Sequence, residues 1–289
     1  MTTPRDPEEL EAAASAVDAE IPPTTTLGAV HLTVSDLARS LDYYRETIGL
    51  RVLAQEDGRA SLGSDSELLV LVEEPGAPHS HGHTGLYHFA LLLPERVDLA
   101  RWLAHVAREQ IPLAGLSDHF VSEAIYLSDP DHHGIEIYWD RPRETWEGRV
   151  DRMGTWPLDV QSLLGELEDP ADVEFERLPA GTTMGHVHLK VANVPAAIEF
   201  YRDVLGFGLM AALGAQAAFL SAGGYHHHIG ANTWESAGAS PPPSGSASLR
   251  HATIVLPSEQ ERDALLGRLG SDEPLVRDPS GNALLLCSR

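Results

Sequence analysis

Residues Gly28–Leu53, GAVHLTVSDLARSLDYYRETIGLRVL, and residues Gly185–Met210, GHVHLKVANVPAAIEFYRDVLGFGLM, are two copies of one segment. Positions correspond at a constant offset of 157 (Gly28 to Gly185, Tyr44 to Tyr201, Gly49 to Gly206), so the likeness is register-locked. Each copy reads as a short alternating strand, a capping Asp36 or Asn193, an amphipathic helix ending at an aromatic pair, and a glycine that stops it. One position breaks the symmetry: His186 in the second copy faces Ala29 in the first. A duplicated scaffold with a ligand-type residue in one copy only points to a site, whose partners lie elsewhere in the chain.

A second, more diverged repeat fills the intervals. His88-Phe-Ala-Leu-Leu-Leu-Pro94 corresponds to His251-Ala-Thr-Ile-Val-Leu-Pro257 at an offset of 163. A helix is expected over Val97–Glu109 and another over Glu259–Leu269, with turns at Asp129-Pro130-Asp131 and Asp278-Pro279-Ser280-Gly281. The chain therefore reads as α+β: four βαβββ units in tandem, forming two paired-sheet modules. One such unit cannot bury its sheet face alone, so units must pair and enclose a cavity. The expected divisions are a flexible, partly helical leader (1–26), a first half of units one and two (27–139), a connection with a short helix near Leu158–Leu167 (140–184), and a second half of units three and four (185–289). The low-complexity run Ser236–Ser248 is expected to be a flexible loop.

The bulk composition narrows the function. The 289 residues carry a formal net charge of −23, which disfavours nucleic acid and anionic membrane surfaces as partners. No apolar run is long enough for a membrane span, and the acidic N-terminus lacks the apolar stretch of a secretory signal. A single cysteine, Cys287, excludes an internal disulfide framework and fits a reducing cytoplasm. Fifteen histidines is a high count. A homodimer is compatible with the sequence, although no feature of it specifies one.

The four-unit arrangement resembles the vicinal oxygen chelate superfamily, which includes glyoxalases, bleomycin-resistance proteins and extradiol ring-cleaving dioxygenases. The resemblance implies metal ligands on the first and last strands of the units, all facing a cavity, with open positions left for substrate and oxygen. The first-strand position falls on His186, His88 and His251, and on Ala29 in unit one. The last-strand carboxylate position, seven residues after the Asp of the Asp-Pro turn, falls on Glu136 in unit two and on Leu285 in unit four. Pairing neighbouring units leaves each set incomplete. Pairing unit two with unit three instead assembles His88, Glu136 and His186, and leaves units one and four to close a second, metal-free cavity.

Unit two is similar to the terminal unit of catechol 2,3-dioxygenases in two further respects. Tyr126 stands ten residues before Glu136, where that family places a tyrosine bonded to a catecholate oxygen, and His119 matches a histidine beside it. An acid–base histidine of that family falls within Tyr225-His-His-His-Ile-Gly230. One register favours His228 and another His227; His228 is preferred, with His227 open. His31 and His188 read as scaffold, His251 as a relic or structural residue, and the loop histidines 79, 81, 83, 132 and 133 as exposed. The resemblance implies a metal-dependent extradiol dioxygenase of aromatic catabolism, acting on a small aromatic catechol and O2, with Fe(II) first and Mn(II) second. A glyoxalase-like isomerase or transferase using Ni(II) or Zn(II), and a metal-free protein that sequesters a toxic small molecule, are the rival readings.

Overall fold

The computed structural model describes residues 11–12, 20–167 and 174–289. Most of the leader, with its expected helix, therefore lies outside the described residues. The first unit comprises β1 (Thr26–Val34), α1 (Leu37–Tyr43), β2 (Arg51–Glu56), β3 (Arg59–Gly63) and β4 (Glu67–Glu73). The second has β5 (Gly85–Leu92), α2 (Arg96–Arg108), β6 (Gly115–Asp118), β7 (Ser122–Ser128) and β8 (Gly134–Asp140). After a connection with α3 (Val160–Leu164), the third has β9 (Thr183–Lys190), α4 (Val194–Ile198), β10 (Gly208–Leu213), β11 (Ala217–Ser221) and β12 (Ile229–Asn232). The fourth has β13 (Leu249–Leu256), α5 (Glu259–Leu269), β14 (Leu275–Arg277) and β15 (Ala283–Ser288). It is the abbreviated unit: the stretch between α5 and its Asp-Pro turn is too short for the two strands that unit two places there.

Local chemistry repeats with the sequence. The Asp36 side chain accepts from Arg39 N–H at 2.9 Å, and Asn193 accepts from Ala196 N–H at 2.8 Å. Such N-caps are each worth about 1 kcal/mol. Both helices then widen into a π-helical turn, Tyr44–Ile48 and Glu199–Val204. Gly49 and Gly206 end these segments at φ 89° and 87°, a left-handed conformation that suits glycine.

The strand order is where the units declare their partners. The large sheet runs β10-β11-β12-β9-β5-β8-β7-β6, with short pairings of Glu11–Ala12 and Trp156–Pro157 at its edges. The smaller sheet runs β14-β15-β13-β1-β4-β3-β2. Units two and three thus share one sheet, and units one and four the other, as the cross-pairing expectation requires. At each centre the two first strands run antiparallel, with His88 opposite His188 in one sheet and His251 opposite His31 in the other.

The sequential halves remain joined through their helices. Tyr44 of unit one donates to Asp129 of unit two at 2.9 Å, and Tyr201 of unit three donates to Asp278 of unit four at 3.0 Å, all four side chains buried. Helix-to-turn contacts thus link units one to two and three to four, while the sheets pair two with three and one with four.

Alternation sorts each strand. One apolar core takes Leu32, Leu69 and Ile254 from the smaller sheet and Phe89, Ile135 and Leu189 from the larger. Each such fully buried side chain contributes about 1.5–3 kcal/mol. The opposite face of the large sheet carries the intervening residues, His88, Ala90, Glu136 and His186. Among the described residues no helix is long and apolar enough to cross a membrane.

Two loop expectations are corrected. The Ser236–Ser248 run is docked: Ser236 Oγ donates to Val191 O, Thr84 N–H to Ser240 O, and Ala247 N–H to Pro78 O. His133 is buried, with Nε2 3.0 Å from Thr33 O, because its backbone turns inward after the Asp-Pro corner.

Candidate metal centre

His88 comes from β5, Glu136 from β8 and His186 from β9, three adjacent strands of the large sheet. Their facing atoms converge. Glu136 Oε2 lies 3.0 Å from His186 Nε2 and 3.1 Å from His88 Nε2, and the two nitrogens are 3.3 Å apart. Donors bound at about 2.0–2.1 Å to one ion sit about 2.9–3.3 Å from each other for angles between square and tetrahedral. The three buried groups therefore already hold the spacing of a coordination shell, and among the described residues they are the group of three that meets this geometry.

The electrostatics suit a cation. Burial alone would raise the Glu136 carboxyl, but His186 and His88 beside it outweigh that and hold it well below the usual carboxylate range. Burial lowers His186, against the pull of Glu136 in the other direction. Neutral imidazole and ionised carboxylate are the forms that bind metal. The His186 ring is fixed by packing on Tyr138, at 5.0 Å between centroids, and on His227, at 4.1 Å. Tyr138 needs Gly185 beside it, because a Cβ there would fall 1.7 Å from its hydroxyl.

The triad lies in a cavity of about 560 Å³, which is also lined by Tyr126, His119, His188 and His227. Its walls mix these groups with Leu86, Phe219 and Met153, a composition suited to a small, partly apolar ligand. His119 Nδ1 lies 2.8 Å from Gly154 O, which can only accept, so that nitrogen carries the proton. Nε2 of His119 is then an acceptor, and Tyr126 donates to it at 2.7 Å.

Sequence reading left two histidines open, and the structure separates them. His227 lines the cavity beside His186. His228 does not line it: its Nδ1 accepts from Ala222 N–H at 3.1 Å, and burial pushes its imidazole down to about 3. Of the two, the cavity lining therefore favours His227, the alternative the sequence left open. Tyr225–His228 precedes β12 and is not strand, so no strand register applies to it.

Behind His227 stands a chain that the sequence reading missed. His226 Nε2 donates to Asp140 Oδ1 at 2.9 Å, which leaves His226 Nδ1 as an acceptor. His227 Nδ1, 2.8 Å away, must then be the donor, and its Nε2 carries the lone pair. Burial and the surrounding histidines, His186 first, hold His227 well below its ordinary value, so its imidazole is neutral. Tyr225 donates to the other Asp140 oxygen at 2.7 Å and accepts from Tyr138 at 2.7 Å. The signal was present: Glu136, Tyr138 and Asp140 share one face of β8 by their spacing of two.

His188, expected to be scaffold, lies over Gly230 and lines the cavity; burial, then His88 and His186, hold it neutral. His251 stacks on His31 at 3.9 Å in the other sheet.

Comparison with known proteins places this geometry among relatives. The model of the glyoxalase/bleomycin resistance protein/dioxygenase superfamily matches residues 26–137 and 183–280. The catechol-2,3-dioxygenase of Bacillus subtilis (strain 168) is 44% identical over 252 residues, spanning 85% of this chain and 87% of that one. Among solved structures, a putative dioxygenase from Bacillus subtilis subsp. subtilis str. 168 aligns at TM-score 0.59 and 15% identity, covering 91% of this chain and 85% of that chain. Glyoxalase I from Zea mays aligns at TM-score 0.54 and 15% identity, covering 92% of each chain. At such identities the two structures speak to fold alone.

Proposed function

The chain belongs to the glyoxalase/bleomycin resistance protein/dioxygenase superfamily, and we propose that it is an extradiol ring-cleaving dioxygenase acting on a catechol-type aromatic with O2. The observation that carries this reading is the convergence of His88, Glu136 and His186 at the floor of a cavity that also presents Tyr126. The 44% likeness to a catechol-2,3-dioxygenase over most of both chains supports it.

His88 Nε2, His186 Nε2 and Glu136 Oε2 would hold the metal, Fe(II) by preference and Mn(II) as second choice. The ion supplies charge stabilisation for a bound catecholate and the one-electron chemistry that lets a singlet ring react with triplet dioxygen. The remaining work belongs to the protein. The cavity walls orient the ring and exclude bulk water. Tyr126, donating to His119, accepts a hydrogen bond from a substrate hydroxyl and fixes that edge of the ring. His227 Nε2 takes a substrate proton and later returns it, while Asp140, through His226, keeps its tautomer correct. Catechol and O2 combine to a 2-hydroxymuconic semialdehyde type of product; both oxygen atoms enter it, so no external reductant is required.

The test is an oxygen electrode. Protein loaded anaerobically with Fe(II), mixed with catechol and then exposed to air, should take up one O2 per ring opened and turn yellow. Absence of uptake across several catechols, together with tight Ni(II) or Zn(II) binding, would replace this reading with a metal-dependent isomerase or transferase. A cytoplasmic setting fits the single cysteine.

A further inference from the structure

The loop joining units one and two carries Pro78-His-Ser-His-Gly-His83, and the Asp-Pro turn before β8 carries His132. The fold brings these histidines together. Ring centroids of His79 and His132 are 4.3 Å apart, those of His81 and His132 5.3 Å, and those of His79 and His81 5.7 Å. Three imidazoles bound at about 2.0–2.1 Å to a single tetrahedral ion place their ring centres about 5 Å apart, a value the three observed separations bracket. All three side chains are exposed, and exposed rotamers exchange in picoseconds to nanoseconds. The rings need only turn about their own bonds to converge.

Both supports are rigid. Asp129 Oδ1 accepts from Asp131 N–H at 2.9 Å and from His133 N–H at 2.8 Å, which locks the turn on either side of His132. His132 itself sits at φ 64°, a left-handed conformation costing a non-glycine residue about 1–2 kcal/mol, so the turn fixes the direction of its Cα–Cβ bond while the ring can still turn. On the other side, His79 pairs with Ala247 in a β-bridge. His79 Nδ1 lies 3.3 Å from Asp131 O. A carbonyl only accepts, so Nδ1 carries the proton and Nε2 keeps its lone pair, the arrangement in which a backbone carbonyl orients a metal-binding imidazole. His83 is held elsewhere, with Nδ1 3.1 Å from Ser240 O.

We infer that His79, His81 and His132 form a second metal site at the rim of the cavity. An all-imidazole donor set selects Zn(II), Ni(II) or Cu(II) over the hard ions Mg(II) and Ca(II). His81 and His132 also line the cavity, so an ion there ties the loop to the turn at the cavity wall. The surrounding acidic protein raises the local cation concentration.

Equilibrium dialysis of the full chain against zinc chloride, followed by metal analysis, tests this. Wild type should retain about two ions, one in each three-donor site. His81→Ala and His132→Ala should each retain about one, and that retained interior ion shows these variants are folded. Glu136→Ala should also retain about one, and the combination of Glu136→Ala with His132→Ala almost none. A single wild-type ion lost on Glu136→Ala but not on His132→Ala would overturn the rim site. A single ion lost on His132→Ala alone would keep the rim site and sink the interior one. Zinc content unchanged by both rim substitutions would overturn it as well.

Discussion

The two sheets of this protein have the same central layout but differ in chemistry. In the large one, His88 faces His188 across the central strand pair, and Glu136 lies beside Ala90 on the neighbouring strand. In the small one, His251 faces His31, and Leu285 lies beside Thr253 at the matching register. The first-strand histidine survives in both. What the small sheet lacks is His186, replaced by Ala29, and the carboxylate, replaced by Leu285. His251 then stacks on His31 at 3.9 Å, and its Nε2 has no hydrogen-bond partner among the described residues. A strand histidine is thus worth little alone. The spacing of three donors, with burial and a neighbouring carboxylate, distinguishes a candidate metal centre from a lone strand histidine.

The comparison can be broken from the large sheet first. Glu136→Ala and His186→Ala should each abolish detectable oxygen uptake, because either leaves two donors for the ion; uptake by Fe(II)-loaded variants measures it. The reverse experiment builds on the small sheet: Ala29→His combined with Leu285→Glu should add about one bound ion per chain beside native His251, read by metal analysis. Unchanged metal content would mean that shared strand order does not guarantee shared ligand geometry.

Smaller effects lie around the triad. His227→Gln should lower turnover by about 10²–10⁴ with metal content preserved, the range expected for losing a general base. Steady-state rates alongside metal analysis separate this from ligand loss. Tyr126→Phe should reduce kcat/KM about tenfold, the loss of one hydrogen bond to substrate, with the interior ion retained.

The smallest effect is in the small sheet and concerns acid stability. Burial, then His251 and the Arg59 and Arg250 charges, push the His31 imidazole down to about 4 from an ordinary 6.5. As pH falls through 6.5 the unfolded chain binds a proton there and the folded chain does not until about 4, so stability is lost across that window. Because His31 is half-exposed and screened by solvent, His31→Gln should recover only on the order of 1 kcal/mol. Urea denaturation near neutrality and near pH 4.5 gives the difference; equal losses in wild type and variant would remove His31 as the cause.

Much of this was legible in the chain. The 157-residue repeat located the units, and the gaps at Ala29 and Leu285 pointed to pairing units two and three before any strand order was known. The rest failed for physical reasons. His227 and His228 stayed unresolved because two registers disagreed, and their segment is not strand, so neither register holds there. Asp140 and His226 escaped because their partnership spans 86 residues and depends on where that turn folds back. His133 reads as a loop histidine until the backbone bonds to Asp129 direct it inward. The Ser236–Ser248 run has the composition of a linker, yet its backbone groups find partners in Pro78 and Thr84, which no local pattern reveals.

The central claim is that units two and three build the site and that units one and four do not. Its most direct test compares His88→Ala with His251→Ala, two substitutions at equivalent positions of the paired sheets, by Fe(II) content and catechol-dependent oxygen uptake. The cross-paired centre predicts loss of interior iron and of uptake in His88→Ala, with both preserved in His251→Ala. Loss in His251→Ala with His88→Ala intact would contradict it.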